Sequence, residues 1–85
     1  PIASPRIFGA GMNYVAHIRE MGHGMPEIPV MFMKPSTAAS GPGDPIVYPR
    51  EGRNVHFEGE LAVIIGRGGR RIREEDALGH VLGYT

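Results

Sequence analysis

Thirteen glycines and eight prolines punctuate this chain of 85 residues, and that punctuation limits what it can fold into. Glycine raises the entropy lost on ordering a regular element, and proline removes a backbone donor and fixes φ. A chain interrupted this often suits turns and short strands better than long helices. Eighty-five residues allow a modest core and no more. Hydrophobic residues at 41% and charged residues at 21% are ordinary for a globular domain. The formal net charge is zero, which argues against nucleic acid or an anionic membrane as the main partner. No cysteine is present, so disulfides and thiolate metal sites are excluded. No apolar run reaches the roughly 18 residues of a membrane helix and no signal-peptide pattern opens the chain, so the cytoplasm is the expected compartment. The chain starts at Pro1 without a methionine and stops at Thr85, where a new strand is expected to begin. Residues 1–85 are therefore expected to be a piece of a larger domain.

Between the breakers the chain reads as a series of short elements. Residues 6–11, RIFGAG, predict a strand ending in a glycine-permitted turn, and residues 13–24 a short helix. Asn13 is a suitable N-cap for that helix, and Gly22 or Gly24 its stop. Residues 29–35 predict a strand closed by prolines, 36–45 a turn-rich loop and 46–49 another short strand. A long strand is expected over 55–66, a turn over 66–71, and a helix over 74–83 with three acids in its first turn. Strand, helix, several strands and a second helix amount to an α+β fold in which sheet dominates.

The stretch HFEGELAVIIG, residues 56–66, carries the most chemistry. Read with period two, Val55, Phe57, Gly59, Leu61, Val63 and Ile65 form one apolar face. His56, Glu58, Glu60, Ala62 and Ile64 form the other, polar at its start and apolar at its end. On a strand, Glu58 and Glu60 stand about 7 Å apart on one side. Like charges placed so repel and lose hydration, and a divalent cation removes both costs; hard oxygen ligands suit Mg²⁺, Mn²⁺ or Ca²⁺. The plainer reading is a solvated strand face with two ordinary glutamates. His56 belongs at the rim of such a site.

On the first helix, His17 and Glu20 are three apart and share a side. A carboxylate beside an imidazole fixes its tautomer and raises its basicity, as a general base requires. An exposed polar helix face explains the same residues without chemistry. His23 reads as a surface residue. The GAG of residues 9–11 lacks the third glycine of a dinucleotide loop and carries no weight as one. Arg67, Arg70, Arg71 and Arg73 are best explained as a solvated hairpin balanced by Glu74, Glu75 and Asp76. Lys34 faces either solvent or a site.

Taken in order, GMNYVAHIREMG, PVMFMKPSTA, GPGDPIVYP, FEGELAVIIG and EEDALGHVLGYT resemble the catalytic domain of the fumarylacetoacetate hydrolase family. The resemblance spans nearly the whole chain and rests on N-Y-x-x-H-x-x-E, F-x-K-P and E-G-E-L. It implies a mixed β-sheet fold with short helices, usually a homodimer, using Mg²⁺ or Mn²⁺, with Ca²⁺ possible. By position, Glu58 and Glu60 match the metal-ligating glutamates, and His17 and Glu20 the dyad that activates water. Lys34 matches the substrate-binding lysine of the F-x-K-P segment. The family's third carboxylate ligand falls beyond Thr85, so the resemblance implies that residues 1–85 are the N-terminal portion of one such domain. Acylpyruvase-like members carry Arg just before the N-Y pair, where this chain has Met12.

The implied reaction is metal-dependent hydrolysis of a carbon–carbon bond in a β-diketo acid of fumarylpyruvate or acylpyruvate type, through a metal-bound enolate. Such activities belong to aromatic catabolism. An isomerase or decarboxylase of a related keto dicarboxylic acid, of 2-hydroxyhepta-2,4-diene-1,7-dioate or oxaloacetate type, is the alternative. An inactive fragment is the second alternative.

Overall fold

The computed structural model describes residues 6–85. The expected domain starts five residues earlier, and those five lie outside the described ones. The chain divides into two compact units, the first ending at Val47 and the second running from Tyr48 to Thr85. The α+β expectation holds: the described residues form two small antiparallel sheets, each with a short helical segment between its two strands.

In the first unit, β1 (Ile7–Gly11) pairs antiparallel with β2 (Val30–Lys34) in unbroken register, from Ile7 opposite Lys34 to Gly11 opposite Val30. Both strands fall where the residue pattern predicts them. Between them lies α1 (Val15–Glu20), shorter than the expected 13–24. Its N-cap is Tyr14 in extended conformation and no side chain caps it, so Asn13 does not play that part. The stop is as read: Gly22 takes φ 71°, a left-handed conformation that glycine adopts without a Cβ clash. The amide of His23 donates to the Ile18 carbonyl at 3.1 Å and that of Gly22 to Arg19 at 3.1 Å. This is the Schellman closure, which satisfies carbonyls the helix itself leaves open.

A six-residue helix has too few internal bonds to hold itself in water, so tertiary contact must stabilise it. Ile18 supplies that contact. At 2% exposure it is the buried hydrophobic side chain among the described residues. After β2, Pro35 leads into a 3-10 turn over Ser36–Ala38.

From residue 46 onward the structure corrects three expectations. Residues 46–49 form no strand; Ile46 and Val47 are exposed. The long strand over 55–66 shrinks to β3 (Val63–Ile65), paired antiparallel with β4 (Val81–Tyr84). Mutual bonds between Ala62 and Thr85, at 2.7 and 3.0 Å, lengthen that ladder by one pair. Residues 55–60 enter no ladder among the described residues. Alternating apolar residues favour a strand, but a strand is a paired state and needs a neighbour's N–H and C=O groups. Phe57, expected on a buried face, is accordingly 96% exposed.

The third correction concerns 74–83. Only Glu74–His80 is helical, and as a 3-10 turn, while Val81–Tyr84 joins the sheet. Pairing with β3 overrides the helical pattern, which a β-branched residue such as Val81 supports only weakly. A register shift between Ile64 and Ile65 bends the hairpin where Gly66 and Arg67 both donate to the His80 carbonyl, at 2.9 and 3.2 Å. No helix among the described residues is long and apolar enough to cross a membrane.

Candidate functional site

The first unit holds the dyad candidates. Glycine stop, extended Tyr14 and buried Ile18 hold α1 in place, and its spacing brings His17 Nδ1 within 3.8 Å of Glu20 Oε2. Both side chains are open to solvent, at 56% and 79% exposure, so the pair adds little to stability. It can still bias chemistry. A carboxylate on the Nδ1 side favours the tautomer with its proton there and leaves the Nε2 lone pair as the base. His23, beyond the glycine stop, is exposed as expected.

Met12 sits between β1 and α1 with φ 50°. A non-glycine residue in this left-handed region is uncommon and costs about 1–2 kcal/mol. Such strain is more frequent at functional positions than elsewhere. Nothing in residue type announces it; a glycine or asparagine would have been the expected occupant.

Lys34 ends β2 opposite Ile7, with its ammonium 6.0 Å from the centre of the Phe32 ring. No carboxylate pairs with it among the described residues. Phe32 stands opposite Gly9, where a Cβ would come within 2.7 Å of the ring atoms Cε1 and Cε2. The first glycine of the GAG stretch thus has a packing reason: β1 carries Gly9 so that an aromatic ring can lie across it.

The second unit holds the carboxylate candidates. Glu58 and Glu60 are exposed and form no ion pair among the described residues. Two unengaged carboxylates are hard oxygen donors of the kind Mg²⁺ and Mn²⁺ select, so the donor chemistry fits such an ion. They account for two of its roughly six ligands. No group of three His, Cys, Asp or Glu able to hold a metal occurs among the described residues. His56 donates from Nε2 to the Asn54 side-chain oxygen at 2.9 Å.

The basic cluster behaves as the hairpin the residues suggest. Arg73 pairs with Glu75 and Asp76, each at 3.2 Å, and His80 Nδ1 donates to the Arg67 carbonyl at 2.8 Å. A cavity of about 640 Å³ at this turn is lined by Arg67, Arg70, Arg71, Arg73 and His80, and by neither Glu58 nor Glu60.

The family model described as "Fumarylacetoacetate (FAA) hydrolase C-terminal" matches residues 6–85. Protein Rv2993c of Mycobacterium tuberculosis is 46% identical over 85 residues, covering 100% of this chain and 32% of that protein. Oxaloacetate tautomerase fahd2, mitochondrial, of Xenopus laevis is 46% identical over 86 residues, covering 100% of this chain and 27% of that protein. Oxaloacetate tautomerase FAHD1, mitochondrial, of Bos taurus is 46% identical over 75 residues, covering 88% of this chain and 34% of that protein. The chain spans about a third of the length of the curated relatives it matches.

Proposed function

The chain belongs to the fumarylacetoacetate hydrolase family, and from that premise we propose that the full-length protein is an isomerase of a small keto dicarboxylic acid, acting by keto–enol tautomerisation of an oxaloacetate-type substrate. The choice of reaction is supported by the likeness of the whole chain to proteins named oxaloacetate tautomerase. Met12 supports it too, since it stands where acylpyruvase-like members carry Arg. The observation that carries the chemistry is the exposed pair of His17 and Glu20 at 3.8 Å.

His17 would take the proton from the methylene carbon between the ketone and the distal carboxylate, using Nε2, while Glu20 balances the imidazolium that forms. Returning a proton to the oxygen completes the isomerisation. One C–H bond breaks, one O–H bond forms, and no co-reactant is needed. The ammonium of Lys34 would hold a substrate carboxylate by a charge-assisted hydrogen bond. Glu58 and Glu60 would hold Mg²⁺ or Mn²⁺, which when bound supplies Lewis-acid polarisation of the keto oxygen. The exposed apolar side chains, such as Ile46 and Phe57, suit burial by the rest of the protein and by a second copy in a homodimer.

Ultraviolet absorbance of the enol form tests the reaction directly. With Mg²⁺ or Mn²⁺ present, the full-length protein should speed enol–keto interconversion of oxaloacetate well above buffer, and His17→Ala should remove that gain. Equal rates with and without protein would sink the reading. Hydrolysis of a β-diketo acid stands second, supported by the description of the matched family. In it the same dyad would take its proton from water, and turnover of acylpyruvates without any effect on oxaloacetate would select it.

A further inference from the structure

The geometry points to Phe32 as a positioning residue for Lys34, with Gly9 as the gap that lets it serve. The inference rests on the reading of Lys34 as the cation for a substrate carboxylate.

Phe32 and Lys34 are two apart on β2 and therefore project to the same face of the sheet. Across the sheet, Phe32 is in register with Gly9, and any Cβ there would collide with the ring. The ring is thus seated over the β1 backbone, a placement any larger residue at position 9 would forbid. The Lys34 ammonium lies 6.0 Å from its centre, at the edge of the range in which a ring quadrupole attracts a cation. Pro35, next in the chain, favours the extended backbone that Lys34 holds as the last residue of β2.

What the ring does differs from what a carboxylate would do. A lysine with no partner samples many rotamers along its four-carbon stem. A neighbouring Asp or Glu would narrow that search but would also neutralise the charge and occupy its donors. An aromatic face attracts the ammonium and leaves its hydrogens available. Phe32 therefore holds the cation near its working position while keeping it available for an anionic substrate.

Kinetics of the full-length protein on oxaloacetate test this with three variants. Phe32→Leu keeps apolar bulk and removes the ring, so KM should rise about threefold, the scale of an exposed cation–π contact, with kcat within about twofold. Phe32→Tyr keeps the ring and should restore the wild-type KM. Lys34→Met should raise KM by tenfold or more, as expected for loss of a hydrogen bond to a charged group. If Lys34→Met leaves KM unchanged, the reading of Lys34 fails. If that variant is damaged while Phe32→Leu matches wild type, the positioning inference alone fails. Should Phe32→Leu not fold, NMR on the wild-type protein decides. Ring current should move the Lys34 ε-methylene protons upfield, and their appearance at the free-lysine position overturns the proposal.

Discussion

In the first unit His17 and Glu20 meet at 3.8 Å because a helix puts residues three apart on one side. In the second, Glu58 and Glu60 ride on residues that enter no ladder among those described, so nothing local orders their carboxylates. The contrast is between short-range and long-range order. A helical pair needs only its own turn, a cap and one anchor, and α1 has Gly22 and Ile18 for these. A pair spaced by two along a chain shares a side only while that chain is extended, and extension is secured by a partner strand. The dyad is therefore built into the sequence around it, whereas the carboxylate pair depends on what lies beside it.

The largest expected effect breaks the preorganised half. His17→Ala in the full-length protein should lower kcat by roughly 10²–10⁴, the usual range for losing a general base, with Mn²⁺ affinity near normal. Steady-state kinetics and calorimetry on the same variant check both halves of the statement. A variant that kept its rate but lost its metal would move His17 from base to ligand.

The next effect tests whether the anchor matters. Ile18→Ala should cost roughly 2–5 kcal/mol, the range for emptying a buried Ile position, and fray α1 with it. Denaturant unfolding measures the loss. A change below 1 kcal/mol, by the same scale, would mean that α1 is held by something other than Ile18.

The carboxylate half should respond more mildly. Glu58→Gln or Glu60→Gln should each weaken Mn²⁺ binding by at least about tenfold, or about 1.4 kcal/mol, by removing a charged oxygen ligand. Unchanged affinity in both variants would place the cation elsewhere. The smallest effect sharpens the helix side. Gly22→Ala forces a Cβ into φ 71° in otherwise open space and should cost about 1 kcal/mol, the lower end of the left-handed penalty, seen as a small drop in the thermal midpoint.

Residue pattern alone located β1 and β2, which keep their strand pattern because each finds the other's ladder. It also located the helix between them and its glycine stop, which depend on neighbours within a few positions. It paired His17 with Glu20 for the same local reason. The GAG stretch was harder: its glycines are visible, but the reason for Gly9 is Phe32, some twenty residues away in the chain and directly opposite in the sheet. Met12 at φ 50° follows from the path between β1 and α1, which residue type does not disclose.

The second unit shows where local reading stops. Val81–Tyr84 carries part of a helical pattern, yet becomes strand because β3 offers a ladder. Residues 55–60 carry a strand pattern, yet take no regular structure where no ladder reaches them. In both cases the deciding energy is backbone hydrogen bonding between segments, which periodicity within one segment does not contain. The sequence by itself determined the family, the α+β class and the chemical groups in play. Tertiary structure decided which of those groups are held in place, because only pairing between distant segments turns an alternating pattern into an ordered face.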